Sequence, residues 1–135
     1  MNSRLDNIQA SILIRKLSML NINNKKRRKI AQYYKKNINN KKIKKLLYSK
    51  SCVYHQYVIL VKNRKKLIKL LSKNKIPYGF HYPYSINKLH SLRQMFKNEK
   101  YPNSERLGNE CISLPIDPNL SILNLKKITK VINSF

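Results

Sequence analysis

Hydrophobic positions over roughly the first forty residues recur at helical spacing. Leu5, Ile8, Ile12, Leu13 and Leu17 form one apolar stripe, the signature of an amphipathic helix. Ser3 stands three residues before Asp6, which suits an N-cap followed by a first-turn acid. The run Asn21 to Asn24 interrupts the stripe and predicts a kink or break. A second helix is expected from about Lys25, with Ile30, Tyr33 and Tyr34 inward and cations outward, ending in the polar stretch at Asn39 and Asn40. No Pro or Gly interrupts either half.

From Cys52 the texture changes. The run CVYHQYVILV is dense in β-branched and aromatic residues and predicts a buried strand over 52–61. Asn63 can cap a short helix that turns Leu67, Ile68, Leu70 and Leu71 inward. Within IPYGFHYPY the breakers Pro77, Gly79 and Pro83 leave room for one short strand, ending on His81 and Tyr82 at a loop. Helices are expected at about 87–97 and 103–111, with Pro102 at the start of the latter, where its missing N–H costs nothing. SLPIDPNLS reads as strand and turn, and Ser121 caps a last amphipathic helix carrying Ile122, Leu125, Ile128, Val131 and Ile132. The expected fold is an α/β (α+β) unit, with long N-terminal helices packed on a small two- or three-stranded sheet and flanking helices. Residues 1–135 are expected to form a single domain.

Charge complicates this picture. Thirty Lys and Arg against five Asp and Glu give a net charge of +25. One functional class this suggests is a small basic nucleic-acid-binding module. Yet cations occur in nearly every segment, in company with the Asn and Ile that AT-rich codons also specify (NINNKKRRK, KKNINNKKIKK). Compositional drift accounts for that spread, since basicity governs solubility and nonspecific binding rather than fold. No aromatic RNA-binding motif, zinc finger or helix-turn-helix spacing accompanies the charge, so no specific nucleic-acid partner is expected. Cys52 and Cys111 fit no C-x-x-C pattern and are expected as buried, reduced thiols without a metal. No apolar run reaches the roughly 20 residues that span a bilayer, and no signal peptide opens the chain, so a cytoplasmic protein without membrane contact is expected.

Catalytic chemistry is poorly supplied. There is no Ser/His/Asp set, no metal-spaced His/Cys/Asp/Glu cluster and no Gly-rich phosphate loop, and with five acids paired-carboxylate chemistry is scarce. No catalytic residue is assigned. The order of short motifs is more informative: NSRLDNIQASIL, VYHQYVILV, GFHYPYSINK and PNSERLGNECISLPIDPNLS follow one another along the chain. Together they resemble the C-terminal portion of the DegT/DnrJ-type sugar aminotransferases, fold-type I enzymes that depend on pyridoxal 5′-phosphate. The resemblance covers essentially the whole chain.

The resemblance implies a C-terminal, small domain of an enzyme that transfers an amino group from an amino donor to a keto nucleotide-sugar, in polysaccharide or cell-surface sugar biosynthesis. In such enzymes the Schiff-base lysine lies in a large cofactor-binding domain, a few dozen residues before the NSRLD-like motif. That domain is therefore expected to be absent here, and this chain alone is expected neither to bind the cofactor nor to transaminate. A homodimer, or a complementing chain that supplies the cofactor domain, is the implied partner. Asn2 matches the family's Asn that donates to the cofactor phosphate of the neighbouring subunit. Arg4 lies near substrate, where a planar fork suits a carboxylate, and His81 with Tyr82 match the loop that contacts the sugar. Many relatives have His where Asn87 stands and Pro where Ser85 stands. An Asn there resembles members that aminate 3-keto sugars of the uronic-acid type. His55 and His90 carry no family role and are expected as a strand residue and a surface helix residue.

Overall fold

The computed structural model describes residues 5–135. Helix α1 spans Asn7–Ser18 and α2 spans Leu20–Asn37. Strand β1 is Lys44–Lys45, β2 is Tyr57–Leu60, helix α3 is Arg64–Lys73, α4 is Pro102–Glu110, β3 is Cys111–Leu114 and α5 is Ile122–Asn133. The strands form one antiparallel sheet in the order β1-β2-β3. Lys44 faces Leu60 at one edge, and Tyr57 faces Leu114 while Val58 faces Ser113 at the other.

The core lies where the sheet meets α2, α3 and α5. Tyr34, Ile38, Ile59, Val61, Leu67, Leu71, Ile112 and Ile132 are its most buried large side chains. Tyr34 hides its ring against Tyr57 and donates its hydroxyl to the Pro115 carbonyl at 2.8 Å, so the polar atom of this side chain is satisfied. Burial pushes the Tyr57 phenol up to about 12, with the neighbouring Tyr48 and Tyr54 adding to it. At the two predicted caps, Asn63 accepts from the Lys66 amide at 3.3 Å and Ser121 from the Asn124 amide at 3.2 Å.

Several expectations are corrected. Ser3 lies outside the described residues, and the cap of α1 is Asp6, whose carboxylate accepts from the Gln9 amide at 2.7 Å. The helix break falls at Met19, not at Asn21–Asn24. There the Ser18 hydroxyl takes the Arg15 carbonyl at 2.7 Å and the Met19 amide reaches back only to Lys16. The asparagines stay helical, with the Asn24 side chain accepting from Arg27 one turn on, at 3.0 Å. The predicted strand over 52–61 shrinks to Tyr57–Leu60 because Arg28 draws the Cys52 carbonyl onto α2 at 3.1 Å and Tyr54 adopts a positive φ of 52°.

The unpredicted β1 pairs with only two residues of β2. The next amide, that of Val58, is taken by the Tyr48 hydroxyl at 2.9 Å. The expected helix at 87–97 is two 3-10 turns, Ile86–Lys88 and His90–Leu92, separated by Leu89 with an extended ψ of 134°. The short strand before His81 reduces to a single bridge between Gly79 and Ser113. His55 sits exposed in a bend rather than in a strand, and Cys52 is only half-buried, while His90 is exposed on its 3-10 turn. The largest departure is α1: it buries none of its residues, so only α2 of the two opening helices joins the core.

Candidate functional site

The loop 79–88 is fastened to α4 and β3 by a series of specific contacts. Gly79 and Ser113 exchange both backbone hydrogen bonds, at 3.0 and 2.9 Å, which lays the chain along the free edge of β3. His81 then stands two residues past the bridge, and its Nδ1 shares a hydrogen bond of 2.9 Å with the buried Ser113 hydroxyl. One residue on, the Tyr82 carbonyl accepts from the Cys111 thiol at 3.4 Å, while Tyr82 as a whole is 75% exposed. His81 Nε2 and the Tyr82 hydroxyl have no protein partner among the described residues, so both face outward with hydrogen-bonding capacity to spare.

Both glycines of the chain lie against this loop. A Cβ on Gly79 would stand 3.0 Å from the His81 ring, and one on Gly108 would stand 3.0 Å from the Ser85 amide nitrogen and 3.2 Å from the Tyr84 carbonyl carbon. Gly108 thus lets α4 touch loop backbone that any side chain would push away. Arg64 braces the same corner. Its Nη1 donates to the Gly108 carbonyl at 2.6 Å and its guanidinium lies 5.0 Å from the centre of the Phe80 ring. Further along, Asn87 donates to Glu105 at 2.9 Å and Lys88 pairs with the same carboxylate at 3.3 Å. Those contacts, Asn87 foremost, hold the Glu105 carboxyl below its usual range.

His81 lies between two cavities, of about 200 and 310 Å³, and no Lys, Arg, Asp or Glu lines either. In a chain of net charge +25 that neutrality is a local property, not a consequence of composition. Ser85 borders the larger cavity, and two polar atoms nearby, Ser85 Oγ and Asn87 Oδ1, are buried without a partner. An unmet buried polar atom costs about 1–3 kcal/mol, so a ligand or covering chain that satisfied them would be favoured. The linings combine apolar side chains with a few hydrogen-bonding groups, His81, Ser85, Ser104 and Ser113 among them, and carry no Lys, Arg, Asp or Glu.

Of the residues singled out from sequence, His81 and Tyr82 are brought together here, and Asn2 and Arg4 lie outside the described residues. Ser113, Arg64 and Gly108 escaped notice, and Cys111 was singled out only as a buried thiol. Only Ser113 carried a usable signal, as a polar residue on an apolar strand. Arg64 was one cation among thirty. Among the described residues no His/Cys/Asp/Glu group could hold a metal, and no helix is long and apolar enough to cross a membrane. The described lysines offer no Schiff-base candidate. None is buried, and the half-buried Lys45 has its ammonium engaged by the Lys35 and Ile38 carbonyls at 2.9 Å each. A desolvated amine is what that role demands, so the residues described here do not fit a covalently held cofactor.

Comparison with known proteins gives a consistent answer. Residues 1–135 match the DegT/DnrJ/EryC1/StrS aminotransferase family, whose members depend on pyridoxal 5′-phosphate. The chain is 35% identical over 136 residues to the dTDP-3-amino-3,6-dideoxy-alpha-D-galactopyranose transaminase of Aneurinibacillus thermoaerophilus, covering 99% of this chain and 37% of that protein. It is 30% identical to the UDP-2-acetamido-2-deoxy-3-oxo-D-glucuronate aminotransferase of Pseudomonas aeruginosa, covering 94% of this chain and 35% of that one. The crystal structure of a DegT DnrJ EryC1 StrS aminotransferase from Brucella abortus superimposes with a TM-score of 0.85 at 30% identity, covering all of this chain and 37% of that structure. The chain therefore spans a little over a third of the length of such relatives.

Proposed function

We propose, for a chain that belongs to the DegT/DnrJ/EryC1/StrS aminotransferase family, that it is the sugar-facing C-terminal domain of a cytoplasmic nucleotide-sugar aminotransferase. Residues 1–135 form that single small domain, and the cofactor-binding domain, with its lysine, belongs to the rest of the enzyme. His81 and Tyr82 contact the keto sugar, Arg4 grips a carboxylate on the amino donor or on a sugar acid, and Asn2 donates to the cofactor phosphate of a neighbouring subunit.

The observation that carries this reading is the pair of uncharged cavities around His81. A sugar ring presents hydroxyls and a carbonyl, and an imidazole with Nδ1 tied to Ser113 presents its other nitrogen at a fixed angle. Pyridoxal phosphate, when bound to the complete enzyme, supplies the amino-group chemistry. This domain binds and orients the sugar. The exposed apolar face of α1 supports the second half of the proposal, that the domain docks against the cofactor-bearing portion, in a homodimer or with a complementing chain.

The test rebuilds the enzyme by joining this chain, at Asn2, to the cofactor-binding portion of a family member and assaying amino transfer to a keto nucleotide-sugar. Arg4→Lys keeps the charge but loses the two-donor fork, so carboxylate recognition should weaken by about 1–3 kcal/mol, roughly a factor of 5–150. His81→Ala should slow the sugar half-reaction more than the half-reaction with the amino donor. His90→Ala, on an exposed 3-10 turn, should change little. Should His90 prove the sensitive position, or all three variants behave alike, the site assignment falls.

A further inference from the structure

A groove of about 780 Å³ opens between the turn after α2, the end of β2, the first turn of α3 and the last turn of α4. Six of its eleven lining residues are Lys or Arg: Lys41, Lys42, Lys44, Lys62, Lys66 and Arg106. Its one acidic side chain is Glu110. Thirty cations in 135 residues would place two or three there by composition, and the cavities beside His81 hold none. Drift scatters charge along a sequence, but it does not gather charge from three distant segments around one concavity. Apart from Lys42, whose ammonium donates to the Phe135 backbone oxygen at 2.8 Å, none of the six side chains has a hydrogen-bond or ion-pair partner among the described residues. The only ion pair there is Lys88 with Glu105.

We infer that this groove is an anion site for an oligophosphate, a chain of linked phosphates carried by an inorganic polyphosphate or by the phosphate arm of a nucleotide. Like charges around a walled concavity focus a strong positive potential and repel one another. A compact polyanion relieves that repulsion and meets ammonium groups that serve as point donors to phosphate, with Arg106 as a fork. Asn63, the cap of α3, also lines the groove, which brings the positive end of that helix to it. The volume suits a small molecule and not a nucleic-acid duplex. The groove shares no charged residue with the sugar site, so this inference stands whether or not that reading holds.

The experiment is a calorimetric titration of the full chain with tripolyphosphate, with ATP and with a short single-stranded DNA, at about 150 mM salt. It compares the wild type with the groove triple Lys62→Gln, Lys66→Gln, Arg106→Gln. A charge-matched triple, Lys126→Gln, Lys127→Gln, Lys130→Gln on exposed positions of α5, is the control. One tripolyphosphate should bind per chain and raise the melting temperature. The groove triple should weaken it about tenfold or more, the control about twofold or less. Equal affinity for tripolyphosphate and ATP assigns the phosphate chain alone, and tighter ATP assigns a nucleotide. Equal weakening by both triples, several anions bound per chain, or binding of DNA without binding of tripolyphosphate would overturn the proposal. Should the groove triple fail to fold, Lys62→Gln alone, in an exposed turn, applies the same test at smaller amplitude.

Discussion

Helices α1 and α5 are each twelve residues long, each opened by a side-chain cap, Asp6 in one and Ser121 in the other, and each lined with aliphatic residues on one face. Their fates differ completely. Helix α5 buries Leu125, Ile128, Thr129 and Ile132 against α2 and α3, whereas in α1 Ile8 is 75% and Leu17 68% exposed and no residue is buried. Covering an aliphatic side chain fully is worth about 1.5–3 kcal/mol, so the bare stripe of α1 represents on the order of 10 kcal/mol of unused burial. Periodicity therefore reports that a helix forms and which side seeks cover. It does not report what provides the cover, and among the described residues nothing buries the stripe of α1.

The difference is open to direct challenge by mutation. Ile132→Ala removes a fully buried side chain from α5 and should lower the unfolding free energy by about 2–4 kcal/mol in a urea titration. Leu13→Ala, made on the exposed stripe, should change it by less than about 0.5 kcal/mol. Similar losses in the two variants would mean that α1 is covered within the free chain and that the contrast is false.

The caps sharpen the same point at smaller amplitude. Ser121→Ala should cost about 1 kcal/mol of global stability, because α5 unfolds with the core. Asp6→Ala should leave the global transition where it is and lower only the helicity of residues 7–18, since α1 opens on its own. A shift of the whole transition by Asp6→Ala would tie α1 to the core.

The legibility of the chain follows from the same physics. Where a local signal and a tertiary partner agree, as at Asn63, Pro102 and Ser121, the elements stand where the sequence puts them. Where the structure depends on a distant group, they do not. Two consecutive lysines give no strand signal, and Lys44–Lys45 become β1 only because Leu60 and Ile59 pair with them. Residues 52–56 have strand composition, yet Arg28 on α2 takes the Cys52 carbonyl and removes them from the sheet. In the candidate site the breakers Pro77, Gly79 and Pro83 mark the loop in the sequence, and the family resemblance is what points to His81 and Tyr82 within it. The Ser113 hydroxyl and the Arg64 brace depend on packing between segments 32 and 44 residues apart, which no local pattern encodes.

The smallest effect concerns pH, and it contrasts the fastened loop with the unattached helix. Glu105 has its carboxyl lowered chiefly by the Asn87 donor, then by Lys88. A lowered folded value means that its hold on residues 85–88 is complete above the ordinary carboxylate range and is lost as pH falls through the lowered value. Amide shifts of Asn87 and Lys88 should follow that titration in NMR, and those of residues 7–18 should not. An unchanged spectrum at Asn87 down to strong acid would show that Glu105 does not hold the loop.

The central claim is that α1 is an interface awaiting the cofactor-bearing portion of an aminotransferase. Amide hydrogen exchange of residues 7–18 tests it most directly, measured first in this chain as it stands and again after the cofactor-binding portion of a family member is added to reconstitute activity. Fast exchange in the first state and strong protection in the second is the predicted result. Protection already present in the chain by itself, or fast exchange that persists in an active assembly, would contradict it.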